Sequence, residues 1–153
     1  MIYTHNDINI IQVEEHLVER QEMYFGSRGA NPEAICTSIA EGALILGAKE
    51  TNIKEKDGWW FISADLDWLK VTSSAQVNET TAFDTTHAFP EGGINWFRSE
   101  VMAKVFSDSC FTYAGGEPVL ISGDLPDASK IKELHEYSGA WARTIAFKFH
   151  KKI

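Results

Sequence analysis

Ile10, Val13, Leu17 and Val18 recur at helical spacing after a capping Asn6 or Asp7, and the pattern predicts a short first helix. Gly26-Ser27-Arg28-Gly29 turns the chain. Asn31-Pro32-Glu33 then opens a second helix, with a capping side chain, a proline at the first helical position and an acidic group beside the positive end of the dipole. Ile35, Ile39, Ala43 and Leu46 form its apolar stripe and Gly47 its C-terminal stop, as expected of a central helix packed on a sheet.

The period then falls to two. Thr51 to Glu55 reads as a strand, Lys56-Asp57-Gly58 as a hairpin turn and Trp59 to Ala64 as the returning strand. Alternation puts Trp59, Phe61 and Ser63 on one face and Trp60 and Ile62 on the other, so both faces carry apolar groups. From Thr72 to Ala88 polar residues dominate and predict a long irregular segment, pinned by Phe83 and Phe89. Helical spacing resumes from Ser99 to Phe106, with Phe97, Val101, Met102, Val105 and Phe106 sharing a face. Cys110 to Tyr113 and Pro118 to Ser122 read as paired strands around the turn at Ala114-Gly115-Gly116-Glu117. Ile131 and Leu134 mark a helix ending near Ser138-Gly139, and Trp141 to Phe149 supplies a last strand. Trp60 and Trp141 are expected in the core. The sum is an α/β (α+β) two-layer sandwich: a mixed, mostly antiparallel sheet with helices on one face, in a single domain over residues 1–153.

Composition narrows the function. With 153 residues, 44% apolar and 12% aromatic, the chain can bury one ordinary core. A formal charge of −8 argues against a nucleic-acid or anionic-membrane surface and suits a basic partner better, although such a charge also simply keeps a protein soluble. Cys36 and Cys110 are far apart and without CxxC companions, which predicts buried free thiols, and the five histidines show no metal-ligand spacing. No metal or cofactor is expected. No stretch approaches the ~20 apolar residues of a membrane span, and the N-terminus lacks a signal-peptide pattern, so the expected location is the cytoplasm.

Several segments occur in an order that carries a resemblance: Asp7-Ile8-Asn9-Ile10, Glu19-Arg20-Gln21-Glu22-Met23-Tyr24-Phe25-Gly26, Gly92-Gly93-Ile94-Asn95 and the closing Thr144-Ile145-Ala146-Phe147-Lys148-Phe149. Together they resemble the N-terminal ATPase domain of the ATP-hydrolysing subunit of DNA gyrase and its relatives, the GHKL family. The resemblance implies the Bergerat-type sandwich, but the family's chemistry is largely missing. Its central helix needs a water-activating carboxylate and, one turn later, a magnesium-binding asparagine; the matching positions are Ala34 or Ile35 and Ser38 or Ile39, and a register using Glu41 as base puts Ile45 where asparagine belongs. Of the family's adenine motif Asp65 survives, while Leu66 and Trp68 replace glycines. Of its phosphate loop Gly92 and Gly93 survive, with Trp96 and Arg98 at later glycine positions; Arg98 retains a guanidinium able to hold an anion. The family's transducer domain and its nucleotide-contacting lysine have no counterpart in these residues, and the middle segment is short for an ATP lid.

The vestigial nucleotide site is therefore Asp65, Gly92, Gly93 and Arg98, and catalysis is not expected. The leading expectation is a non-catalytic protein-binding domain on a degenerate GHKL-like scaffold, most concretely an immunity protein that neutralises a cognate bacterial toxin, a basic one suiting the charge. The alternative is a divergent GHKL-type ATP-binding protein or ATPase. Trp68 and Trp96, in the remodelled loops, are expected to fill the vacant pocket or line a new one, with filling favoured. They join the acidic Asp65, Asp67, Glu91 and Glu100 as the candidate partner-binding set.

Overall fold

The computed structural model describes residues 13–71, 77–94, 96–115 and 117–150. The expected cap at Asn6 or Asp7, Ile10, the polar stretch 72–76, Asn95 and Gly116 lie outside the described residues.

Residues 13–19 are helical (α1) and are followed by the short helix Gln21–Phe25 (α2), with a 3-10 turn at Gly26–Arg28. Gly26 and Gly29 bound that turn at φ +76° and +73°, in the left-handed region. The long helix Pro32–Ile45 (α3) starts where its signals put it. The Asn31 side chain accepts from the Ala34 N–H at 2.8 Å, and Pro32 opens the first turn. It ends in a Schellman arrangement, with Ala48 N–H bonded to Ala43 O and Gly47 N–H to Leu44 O, Gly47 taking φ +120°. Strands Thr51–Lys56 (β1) and Trp59–Ala64 (β2) are joined by Asp57-Gly58, both at positive φ as a two-residue hairpin turn of the primed type requires. The polar segment folds around Asn78, whose side chain accepts from the backbone N–H groups of Thr80 and Thr81; Phe83 and Phe89 are buried as expected. Helix Glu100–Val105 (α4), strands Ser107–Tyr113 (β3) and Val119–Ser122 (β4), helix Ala128–Ser138 (α5) and strand Arg143–Phe149 (β5) complete the order.

The five strands form one sheet in the order β1-β2-β5-β3-β4, and every neighbouring pair is antiparallel. The mixed sheet expected from the sequence is thus antiparallel throughout the described strands. The last strand enters at the centre, between two sequence-local hairpins, where Ile145 faces Ile62 and Phe147 faces Trp60.

Both faces of the sheet are covered, which corrects the expected two-layer arrangement with helices on one face. Ile62, Ala64, Cys110, Ile145 and Phe147 pack against α3 and α4 in the larger core. On the opposite face Trp59, Phe61, Phe111, Tyr113 and Ala146 meet Leu134 of α5. The physical reason is visible in β2: alternation leaves Trp59 and Phe61 unburied unless something covers them, and Leu134 and Tyr137 of α5 do so, with the Phe61 and Tyr137 rings 6.2 Å apart. Trp60 and Trp141, expected in the core, are only half-buried, and Trp141 precedes the strand with its indole N–H donated to Ser138 O.

Candidate functional site

Helix α3 turns its Ile35, Cys36 and Ile39 stripe to the sheet, and this leaves Ala34, Ser38, Gly42 and Ile45 along its other side. Those residues form one wall of a cleft of about 350 Å³. Met23 and Tyr24 of α2 form the second wall, Phe89 and Trp96 the third, and Arg98 and Glu100 also border it. Aromatic edge contacts fix the second wall. Phe25 meets Phe106 of the core at 5.6 Å, and Tyr24 meets Phe97 at 5.5 Å. Gln21 stitches α2 to the following turn, accepting from the Ala30 N–H and donating to Val18 O.

The third wall is the segment whose Gly92 and Gly93 were matched to a phosphate loop with later positions replaced. It folds as a turn closed on itself: Phe89 N–H bonds Trp96 O at 2.9 Å, Arg98 N–H bonds His87 O at 2.8 Å, and Ala88 bridges Phe97. The N–H of Gly92 is donated to Phe89 O and that of Gly93 to Pro90 O, so neither is directed to an anion. The two glycines are needed for another reason. A Cβ at Gly92 would run into the rings of Trp96 and Phe89, and Gly93, at φ +139°, lies against the Trp96 indole. Glu100, in the first turn of α4, adds a carboxylate where the positive end of that short helix lies.

Arg98 and Glu100 form an ion pair at 2.8 Å with both side chains almost wholly buried. Trp68, fully buried, donates its indole N–H to the same Glu100 oxygen at 3.1 Å, and Arg98 Nη2 also donates to Trp68 O. Arg98 Nε has no acceptor. A second buried guanidinium, Arg143, receives Asp67 on Nε and Nη2, both at 2.9 Å, and Glu79 on Nη2 at 3.0 Å, and donates from Nη1 to Thr112. Burial acts to lower the Arg143 pKa, but the hydrogen bonds and charges of Asp67 and Glu79 outweigh it and raise the value.

The structure therefore divides the expected site residues. Trp68, Arg98 and Glu100 come together, but inside the protein, so they offer little surface to a partner; Trp68 is part of the larger core. Trp96 does not fill: it is 48% exposed and lines the cleft. Asp65 is an exposed loop carboxylate that accepts from the N–H groups of Lys49 and Glu50, at 2.9 and 3.3 Å, and it does not line the cleft. Asp67 is committed to Arg143, and Glu91 is exposed in the turn beside the cleft. The expected acidic patch is thus not one surface, because two of its four carboxylates are held by buried arginines.

Met23, Tyr24, Ser38 and Ile45 entered the sequence analysis only as positions of the resemblance, not as candidate binding residues. A signal existed: α3 carries only Glu33 and Glu41 as charges, so it is apolar on more than its sheet-facing stripe. Cys36 is unsuited to nucleophilic chemistry, since burial and the nearby Glu33 push its thiol up to about 12, and burial also raises Cys110. Among the described residues no cluster of His, Cys, Asp and Glu is arranged to hold a metal ion, and no helix is long and apolar enough to cross a membrane. Compared with models of known families, with curated proteins and with solved structures, the chain matches none.

Proposed function

We propose that this chain is a non-catalytic protein-binding domain built on a degenerate GHKL-like ATPase scaffold. The observation that carries the reading is the make-up of the cleft. If the resemblance holds, the positions needing a base and a magnesium ligand are those of α3 that line it, and they carry Ala34 and Ser38; Ile35 belongs to the core. Where phosphate would lie, Trp96 and Phe89 pack on Gly92 and Gly93, whose N–H groups are already bonded.

The most concrete form of this reading is an immunity protein that neutralises a toxin by direct binding, motivated by size and by the charge of −8. A specific observation favours a second reading, a divergent ATP-binding protein: the cleft has room for a ligand and is bordered by Arg98. The two separate in one experiment. Calorimetry with ATP and magnesium, run beside a phosphate-release assay, is expected to be silent in both, with no rise in melting temperature at millimolar Mg-ATP. Heat of binding would favour the second reading, and phosphate release would make the chain an ATPase. The immunity role is tested by co-expressing the chain with toxins encoded beside it; rescue of growth with formation of a stable complex is expected, and rescue by none removes that role.

A further inference from the structure

The cleft is open, and its surroundings are apolar beyond what its own walls require. Met23 is 65% exposed and Ile94 91% exposed, and Leu44, Ile45 and Trp96 also show large apolar surface to water. Met23, Ile45 and Trp96 line the cleft; Leu44 is next to Ile45 in sequence and Ile94 two residues from Trp96, without lining it themselves. A small molecule seated between the walls would leave that outer apolar surface wet. A polypeptide lying across the mouth would cover it. Polar features restrict the occupant further. Arg98 borders the cleft, but it is buried and already paired with Glu100 at 2.8 Å, so it presents no free charge to a polyphosphate. Glu41 lines the cleft and Glu91 is exposed on the turn beside it, which adds negative charge at the mouth.

From these observations we infer that the cleft between α2, α3 and the Phe89–Trp96 turn receives a partner protein's short segment. A large apolar side chain of that segment inserts between Met23 and Trp96, and flanking Lys or Arg residues meet Glu41 and Glu91. This rests on the protein-binding reading and names the surface and the partner chemistry for it.

Short random peptides displayed on phage, selected against the intact chain, supply the probe. Enrichment of sequences with a large apolar or aromatic residue flanked by Lys or Arg is expected. Synthesised peptides should then lose about tenfold or more in affinity for Ser38→Trp, which fills the cleft from an exposed helix position, and for Trp96→Ala, which removes a wall. Glu41→Lys should reduce the salt dependence of binding. Leu120→Ser, on the sheet edge at β4, should leave affinity unchanged. Melting temperature is followed for each variant, so that lost binding is read only from folded protein. Selected peptides that bind Ser38→Trp and Trp96→Ala as well as the parent overturn the cleft assignment while the protein-binding reading stands. Failure to enrich any such motif over a selection against an unrelated acidic domain also overturns it. In that case the co-expression test decides the broader reading by itself. Mg-ATP binding that is abolished by Ser38→Trp would overturn both.

Discussion

Arg143 is the residue whose environment asks most of the fold. It lies in the central strand, fully buried, and its charge is tolerated because Asp67 grips it on Nε and Nη2, Glu79 shares Nη2, and Thr112 accepts from Nη1. Removing one partner leaves charge inside. Asp67→Ala is expected to destabilise by about 3 kcal/mol in urea unfolding, more than Asp65→Ala, which loses only exposed loop bonds. Glycine positions differ just as sharply. Gly123, at φ +72°, lies against Asp108 O and Ser109, whereas Gly115, at φ +82°, has open space around it. Gly115→Ala should therefore cost about 1–2 kcal/mol, for backbone conformation alone, and Gly123→Ala distinctly more. Equal losses on denaturation would remove the steric argument.

Among elements, α5 is the one whose role changes most between sequence and structure. Its apolar pattern was legible at Ile131 and Leu134, and Asp127 caps it by accepting from the Lys130 N–H at 2.8 Å. Its placement over Trp59 and Phe61 was not legible, since the same helix could dock on either face. Leu134→Ala should cost about 3 kcal/mol if this second core is as closed as its burial indicates. The helix is also tied to the β1–β2 turn by charge. Lys130 reaches Asp57 at 2.6 Å, and Lys56 reaches Glu133 at 3.0 Å. The hydrogen bond from Lys130 holds the Asp57 carboxyl below its ordinary range, and the one from Lys56 does the same for Glu133. A carboxylate with a lowered folded-state pKa stabilises above its unfolded value and loses that contribution as pH falls through the folded one. Melting temperature should thus decline as pH drops below about 4, and Lys130→Ala should make that decline shallower. Added salt should weaken the same tie, because these pairs are on the surface.

For the whole molecule the order β1-β2-β5-β3-β4 has one overriding consequence. The final strand is the only connection within the sheet between the two hairpins. A chain ending before Arg143 keeps both hairpins and every described helix, yet it is expected to show no cooperative thermal transition, because isolated hairpins are marginal and each core loses its central strand. A sharp transition in that truncated chain would refute this account of how the sheet is held together.

The sequence by itself determined most of the elements, though not α2: the cap at Asn31, the turn at Asp57-Gly58, the period-two strands and the glycine after α5 are local steric and hydrogen-bonding facts that neighbours within a few residues decide. It also determined that Ala34 and Ser38 bring no carboxylate to the cleft, because no fold can turn either into one. The tertiary structure alone decided which charges are visible. Asp67 and Glu100 look like Asp65 and Glu91 in the sequence, but the buried Arg143 of a distant strand claims Asp67, and the buried Arg98, two residues away, claims Glu100. It decided likewise that Trp68 is interior and Trp96 is at the surface, since burial is a property of the packed whole: one indole found Glu100 as its acceptor, and the other was left as the wall of an open cleft.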